Sequence, residues 1–393
     1  MNKRKELKYI FKMLKAVLSD NYTLTVEKNL DWNYIYKLCK FHHIDNIIGY
    51  ISNKPEDMPE DIYKKFQLAK QKGMVREINQ HFELQMIQEK FAKCKIDNIA
   101  LKGSFLKKYY PSPDMRFLTD LDILFKDEKT ELVKQTLLEL DYQIYAPGEH
   151  HDVYIKEPYM TVEMHRQCYN YNDSLDTLLD NIWQRCIKVK DIEYAYEMPI
   201  DDFYIYMVGH MAKHFKFGGV GIRMILDFMI FEDKLEKDCD RNYIELNLDK
   251  AGLLQFEKEI KEILNKCLDD NYQLENDDLI NYIISSGAYG TAQNNLNNEI
   301  LKDGSKVNKI IKNRIKMLLE IIFPCLENMK NKYSYVNRFP FLLPIAWIHR
   351  GVTKIIVDRN AFIKIIKSPF NKYRISETGE ALKKVGLDKD EIL

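Results

Sequence analysis

Five short apolar runs in the middle of the chain constrain its fold most strongly. They lie between residues 96 and 165 and read IDNIAL, LDILF, YQIYA, DVYI and TVEMH. Each run is bounded by Gly, Pro, Asp or charged residues, which is typical of β-strands. The segment DEKTELVKQTLLELD, between the second and third runs, has its apolar residues at helical spacing. Strands that alternate with helical segments predict an α/β-type core, which we assign to residues 94–200.

The chain on both sides of this core has a helical pattern. Apolar residues recur every three or four positions from Lys3 to about Lys93, with a turn-rich break at residues 53–59, and again from Asp201 almost to the end. A chain of 393 residues is also too long for one compact core. We therefore predict an α+β protein with three regions: an N-terminal helical region (1–93), the core with a mixed sheet (94–200) and a C-terminal helical domain (201–393).

Charge and cysteine content narrow the class of protein. Lys and Arg number 59, as do Asp and Glu, so the net charge is +0 and does not favour nucleic acid or an anionic membrane as partner. Seven cysteines without a Cys-x-x-Cys pair favour a reducing, cytoplasmic location. The most apolar stretch, 339–348, is about half as long as the ~20 residues of a membrane span. We interpret it as a buried helix with its preceding turn.

Paired acidic residues suggest a metal site. Because side chains alternate along a strand, Asp120 and Asp122 point from one face of LDILF, and Leu121 and Ile123 point from the other. Two adjacent carboxylates repel each other unless a cation lies between them. In TVEMH, Glu163 shares a face with Thr161 and His165 and supplies a third acid. The alternative for Asp120 and Asp122 alone is a pair of ordinary surface residues.

A Gly-Ser turn precedes these acids. Lys102, Gly103 and Ser104 follow the strand IDNIAL and open a predicted helix. Glycine allows a phosphate to approach the backbone closely, and the Ser104 hydroxyl stands at a helix N-terminus, where an anion is favoured. A plain turn with an N-cap is the alternative for the turn taken alone. Together with three acids, it predicts a site at which two Mg²⁺ ions assist an in-line phosphoryl transfer.

This combination resembles the nucleotidyltransferase superfamily that has the DNA polymerase β-like core. More closely, LKGSFLKKYYPSPDMRFLTDLDILF, VEMH, HMAKH, GIRMILDFMIF, IIFPCLENM and LLPIAWIHRG resemble a bacterial group described as uncharacterised nucleotidyltransferases. The resemblance covers most of the chain beyond about residue 30. It implies a mixed-sheet catalytic core, an NTP donor, Mg²⁺ or Mn²⁺ as cofactor, and metal-binding positions at Asp120, Asp122 and Glu163.

Other charged residues near these motifs have alternative roles. Arg116 is expected to contact the triphosphate or to pair with Asp122, and a structural salt bridge is the equal alternative. Arg223 and Asp227 lie four residues apart on a predicted helix and are expected to pair. KFGGVG follows a helix rather than a strand, so we predict a helix end and turn rather than a phosphate loop.

Five histidines accompany the acids: His150, His151, His165, His210 and His214. The last two lie four apart in HMAKH, on one helix face. In one interpretation the histidines line the cleft between the core and the helical domain and contact nucleotide or acceptor, and in the other they bind a transition metal. HMAKH lacks the Glu of the HExxH hydrolase motif.

Three functions are therefore expected in decreasing order. The first is a nucleotidyltransferase in which Asp120, Asp122 and Glu163 hold the metals and Glu163 helps to deprotonate a hydroxyl acceptor. The second is a non-catalytic nucleotide-binding or interaction module. The third is a metal-dependent hydrolase that uses His210, His214 and Glu163. The acceptor stays open between a small hydroxylated metabolite, an antibiotic, a protein side chain and an RNA end, and zero net charge makes the RNA end the least favoured.

Overall fold

The first region of the chain is helical, as predicted. The computed structural model describes residues 4–19, 24–25, 27–158, 160–169, 171–272, 277–301, 307–330, 332–354 and 372–388. Its first helices are α1 (Arg4–Leu18), α2 (Trp32–Phe41), α3 (Asp45–Ile48) and α4 (Glu60–Cys94). The Asp31 side chain accepts a hydrogen bond from the Tyr34 amide and caps α2. The turn-rich break falls between α3 and α4, where it was expected.

A seven-stranded mixed sheet forms the middle of the chain. Its strands are β1 (Asn98–Ala100), β2 (Leu121–Phe125), β3 (Gln143–Ala146), β4 (His151–Lys156), β5 (Met160–His165), β6 (Ile187–Lys188) and β7 (Ala195–Glu197). They lie in the order β3-β4-β5-β2-β1-β7-β6. The pairs β2–β5 and β1–β7 are parallel, and the other pairs are antiparallel. The helices α5 (Gly103–Leu106), α6 (Thr130–Glu139) and α7 (Asp173–Asp180) connect these strands.

The five strands predicted from the apolar runs all form, which confirms the α+β class with a mixed sheet. The short strands β6 and β7 were not predicted. The residues of β6 are exposed, and the two strands together contribute only five residues. Such short segments carry no alternating pattern from which a strand can be recognised.

The two faces of the sheet are covered by different elements. On one face, Leu121, Ile123 and Phe125 of β2 join Val162 and Met164 of β5 in a cluster with residues of α4 and α6. The residues between them in sequence point to the other face. This second face is covered mainly by C-terminal helices, and both the N-terminal and C-terminal helices share one apolar cluster with it. The acids of β2 and β5 therefore lie on the face toward the C-terminal helices.

The rest of the chain is helical. Its helices are α8 (Ile200–Phe217), α9 (Ile222–Lys234), α10 (Arg241–Lys250), α11 (Leu254–Leu268), α12 (Asp278–Ser286), α13 (Ala292–Leu301), α14 (Val307–Ile322), α15 (Leu326–Lys330), α16 (Ser334–Arg338), α17 (described over residues 343–354) and α18 (Lys372–Lys384). KFGGVG forms the end of α8 and the turn into α9, as predicted. Gly219 has φ +96°, and a Cβ there would lie 2.0 Å from the Ser286 Oγ, so the turn requires glycine.

The stretch 339–348 differs from the prediction. It begins with a 3-10 turn at Pro340–Leu342 and enters α17, but it is not buried among the described residues. Phe341 is 76% exposed and Ile348 is 69% exposed. In the part of the chain that the structure describes, no helix combines the length and apolar character needed to cross a membrane.

Candidate active site

The register of the sheet brings two of the predicted acids together. β2 and β5 are parallel neighbours, and Asp122 is paired with Glu163 across them. Asp122 is buried, because β2 lies inside the sheet between β5 and β1. Glu163 is half-buried, and it occupies one of the alternate positions of β5 that point away from the core cluster. The shared face that the sequence predicts for Glu163 and His165 is therefore present, and Asp122 belongs to the same face.

His165 completes a compact group with these acids. Its Nε2 lies 2.9 Å from the Asp122 Oδ1 and 3.4 Å from the Glu163 Oε2. One ligand atom from each of the three side chains lies within 4.8 Å of the others, a spacing at which they could hold a metal ion. The His151 ring stacks on that of His165 at 5.0 Å between centroids, and its Nε2 lies 4.0 Å from the Glu163 Oε2. The sequence left two interpretations for His165, a contact to nucleotide or acceptor and a metal ligand, and the spacing of the three side chains fits a ligand.

Asp120 lies beside this group rather than in it. It precedes β2, is half-buried and accepts a hydrogen bond from the Thr119 hydroxyl at 3.1 Å. Burial, together with the negative charges of Asp122 and Glu163, raises the pKa of Asp120 to about 6. The upward shift indicates that negative charge accumulates at this end of the sheet.

Lys102 is the cation that the chain itself supplies to the acids. Its Nζ lies 2.6 Å from the Asp122 Oδ1. Burial lowers the pKa of Lys102, but the nearby carboxylates outweigh burial and raise it above its usual value. Burial likewise raises the pKa of Asp122, but Lys102 and His165 outweigh it and hold that pKa well below its usual range. Both groups are therefore charged at neutral pH, and Lys102 has φ +50°, an uncommon conformation for a residue other than glycine.

The contacts of His165 with Asp122 and Glu163 also shift the pKa values of Glu163 and of His165 itself. The hydrogen bond from His165 lowers the pKa of Glu163. Burial lowers the pKa of His165, but its bonds to Asp122 and Glu163 raise it above the usual value. A cation that binds between these three side chains must compete with the proton on His165.

The Gly-Ser turn is present, but the helix after it is only one turn long, Gly103–Leu106. Gly103 lines the cavity described below, and a Cβ there would lie 2.2 Å from the Leu118 Cδ2 and 3.3 Å from the Arg116 Cζ. A side chain at this position would therefore have to displace Leu118. Ser104 is buried and does not line the cavity, so a hydroxyl contact to a phosphate there stays a prediction.

A cavity of about 340 Å³ opens over the acids. Asp120, Asp122 and Glu163 form one side, α8 and α9 form the opposite side, and Tyr289 after α12 contributes as well. Cavities of this size are typical of small-molecule sites. Sequence reasoning did not identify Tyr206 or Tyr289 as lining residues, because only the tertiary packing brings them to the cavity.

His210 and His214 line this cavity from α8, as one of their two interpretations requires. Their Nε2 atoms lie 3.1 Å apart. Burial and the nearby Lys102 lower the pKa of both, that of His214 to about 4, so both are neutral at pH 7. Among the described residues, they do not join Glu163 in a group of metal-ligand spacing. The third expected function, the hydrolase, therefore lacks its ligand set.

Arg116 forms the structural salt bridge, with Asp227 and not with Asp122. Its Nε and Nη2 lie 2.7 Å from the two Asp227 carboxylate oxygens, and the Tyr110 hydroxyl donates to the same carboxylate at 2.8 Å. The guanidinium lines the cavity beside Gly103. The predicted pairing of Asp227 with Arg223 is wrong, because Arg116 takes both carboxylate oxygens.

A family model described as "Uncharacterised nucleotidyltransferase" matches residues 28–269. The matched range includes the whole sheet, α8 and α9, and thus the acids and most of the cavity wall. No curated protein and no solved structure matches the chain.

Proposed function

The chain belongs to the uncharacterised nucleotidyltransferase family, and we propose that it is a metal-dependent enzyme that transfers a nucleoside monophosphate from an NTP to a hydroxyl group of a small acceptor. One observation carries this proposal. Asp122 and Glu163 lie side by side on parallel strands, with Asp120 next to them, and all three face a cavity of about 340 Å³. The limited volume favours a small acceptor over a macromolecule.

The donor atoms fit a divalent cation. Asp122 and Glu163 offer carboxylate oxygens, which suit Mg²⁺ and Mn²⁺, and His165 offers an imidazole nitrogen. Lys102 and His165 lie against Asp122, yet the negative charges of Asp122 and Glu163 still contribute to the raised pKa of Asp120, so these contacts do not fully balance the three carboxylates. We expect Asp120, Asp122 and Glu163 to hold Mg²⁺ or Mn²⁺ with His165. The bound ion would act as a Lewis acid on the phosphate that is transferred.

The residues of the chain then bind and orient the nucleotide. Lys102 directly precedes Gly103, and its side chain reaches Asp122. At this position its ammonium group is suited to a phosphate oxygen. The absence of a side chain at Gly103 leaves room for the triphosphate beside it. The predicted contacts of Ser104 and Arg116 with the nucleotide are supported less directly, because Ser104 is buried and Arg116 is already paired.

The reaction forms one bond and breaks one. The acceptor oxygen attacks the α-phosphorus, the bond from that phosphorus to the bridging oxygen breaks, and pyrophosphate leaves with its electron pair. The acceptor proton passes to a carboxylate of the cluster, for which Glu163 is our candidate. Its side chain is 24% exposed, against 9% for Asp122, and is therefore more accessible to an acceptor. The neutral His210 and His214 are suited to hydrogen bonds with the acceptor.

The direct test is transfer of label from α-labelled ATP, GTP, CTP and UTP to a panel of hydroxylated small molecules, with Mg²⁺ or Mn²⁺. We expect pyrophosphate release that needs the metal and falls about 100-fold or more in Asp122→Asn. Asp97→Asn is the matched control, because Asp97 also pairs with a lysine, Lys126, but does not line the cavity. The proposal fails if the wild type shows neither metal-dependent transfer nor metal-dependent binding of any NTP.

A second candidate is a non-catalytic nucleotide-binding module. The observation that favours it is the contact between Lys102 and Asp122, because the lysine supplies a cation where an active enzyme needs a metal. Such a module would bind nucleotide equally well in EDTA and in Mg²⁺. Calorimetry under the two conditions separates the candidates, since the enzyme requires tighter binding in Mg²⁺.

A further inference from the structure

A second buried arginine on the cavity wall forms no ion pair with any residue that the structure describes. Arg223, at the start of α9, lines the cavity and is only 6% exposed. Its Nη1 donates to the Phe117 carbonyl at 2.7 Å and to the Tyr289 hydroxyl at 3.2 Å. Among the described residues, its Nε and Nη2 have no hydrogen-bond acceptor and no carboxylate pairs with it. The hydrogen bonds of this buried cation within the described part of the chain thus go to neutral oxygens.

The comparison with Arg116 makes this arrangement unusual. The two guanidinium groups are similarly buried, at 8% exposure for Arg116, and both line the cavity. The Asp227 carboxylate accepts two hydrogen bonds from Arg116, whereas the hydrogen bonds of Arg223 go to a carbonyl and a hydroxyl. Burial and the charge of Arg116 lower the pKa of Arg223, in the direction expected of an uncompensated cation. Burial of an unpaired charge is costly and requires a compensating group.

The position of Arg223 relative to the acids indicates which group compensates it. The Tyr289 hydroxyl, which Arg223 contacts, lies 3.3 Å from the Thr119 hydroxyl, and that hydroxyl donates to Asp120 at 3.1 Å. The guanidinium also lies over the Tyr289 ring, 4.5 Å from its centroid. A short chain of polar groups therefore connects Arg223 to the acidic cluster, and an anion at Arg223 would lie beside a cation at the acids.

We propose that Arg223, positioned by Tyr289, forms an anion subsite of the cavity that binds a phosphate group of the nucleotide substrate. A guanidinium binds phosphate through parallel hydrogen bonds, and Nη2 is available for one of them. The subsite would hold the phosphates that leave as pyrophosphate and keep them beside the acids. This inference rests on the proposed function for the identity of the ligand, but the anion subsite itself is testable without a reaction.

Calorimetry with inorganic pyrophosphate and with NTP, each with Mg²⁺, tests the subsite. We expect Arg223→Met to bind both about 10- to 100-fold more weakly than the wild type, because a charge-assisted hydrogen bond is lost. Tyr289→Phe keeps the ring but loses the hydroxyl and should bind a few-fold more weakly. Arg338→Met is the matched control, because Arg338 also lies over an aromatic ring, that of Phe339, but is exposed and outside the cavity. If Arg223→Met does not fold, Arg223→Gln replaces it in the same measurement.

The outcomes separate the two proposals. Equal affinities of wild type and Arg223→Met for pyrophosphate and NTP overturn the subsite and leave the proposed function standing. Binding of pyrophosphate that depends on Arg223, without binding of any NTP, supports the subsite and overturns the proposed function. If the wild type binds neither ligand, both proposals fail.

Discussion

Replacement of Arg116 by methionine should destabilise the protein strongly. The change removes two hydrogen bonds of 2.7 Å to Asp227, a residue that is itself buried. Methionine fills much of the arginine volume, so the effect comes mainly from a buried carboxylate that, among the described residues, keeps its hydrogen bond from Tyr110 alone. Removal of one partner of a buried ion pair costs about 3–5 kcal/mol. Two charge-assisted hydrogen bonds at about 1.5–3 kcal/mol each give about 3–6 kcal/mol, which overlaps this range.

The same substitution at Arg223 should have a different effect. No carboxylate among the described residues is left without a partner in Arg223→Met, and an uncompensated buried charge disappears. We therefore expect the free energy of unfolding of the ligand-free protein to change by less than about 1 kcal/mol or to increase. The pair of variants compares two arginines of similar burial that differ in their partners.

Urea unfolding followed by tryptophan fluorescence measures both variants. The N-terminal and C-terminal helices share one apolar cluster with the sheet, so we expect a single transition. A double-mutant cycle with Asp227→Leu isolates the pair, and the double variant should lose less than the sum of the single variants. A loss below about 1 kcal/mol in Arg116→Met, or an equal loss in Arg223→Met, would refute this account of the two arginines.

Two further predictions concern other positions. Gly103→Ala should lower the free energy of unfolding by about 1–3 kcal/mol and weaken nucleotide binding, because its Cβ would lie 2.2 Å from the Leu118 Cδ2. Gly351→Ala is the control, because no atom lies within 4 Å of its Cβ, and it should stabilise α17 by about 0.5–1 kcal/mol. Equal midpoints of unfolding in the two variants would contradict this. His42 is buried, and burial lowers its pKa from 6.5 to about 4, so its neutral form stabilises the fold above pH 6.5. As pH falls from 6.5 to 4 this stability should be lost, by up to roughly 3 kcal/mol. If the unfolding midpoint of His42→Asn falls with pH as steeply as that of the wild type, His42 is not the cause.

The sequence was sufficient to predict the acidic face. TVEMH alternates between core and non-core residues, so the face shared by Glu163 and His165 follows from the two-residue period of a strand. The same period places Asp122 on the face of β2 opposite to Leu121 and Ile123. Periodicity within one strand does not give the neighbour of that strand, however. The parallel pairing of β2 with β5 is a property of the sheet and comes from the structure.

Contacts between distant segments could not be predicted. Arg116 and Asp227 are separated by 111 positions, whereas Arg223 lies four residues from Asp227 on the same helix. Local spacing therefore favoured the wrong pair. An i,i+4 contact is worth only a few tenths of a kcal/mol, and the buried bidentate pair between Arg116 and Asp227 outweighs it. The contribution of Tyr289 to the cavity has no local signal either, because it depends on the packing of the turn after α12.

The cavity carries unbalanced charge of both signs, and this limits what can bind there. At the acids, the charges of Asp122 and Glu163 help to raise the pKa of Asp120 despite the contacts of Lys102 and His165, while Arg223 makes no hydrogen bond or salt bridge to a carboxylate among the described residues. A metal ion alone would compensate only the acids, and an anion alone would compensate only Arg223. An NTP with its divalent cation supplies both charges at fixed separation. Metal and nucleotide should therefore bind more tightly together than either does alone, and removal of either Asp122 or Arg223 should abolish that cooperativity.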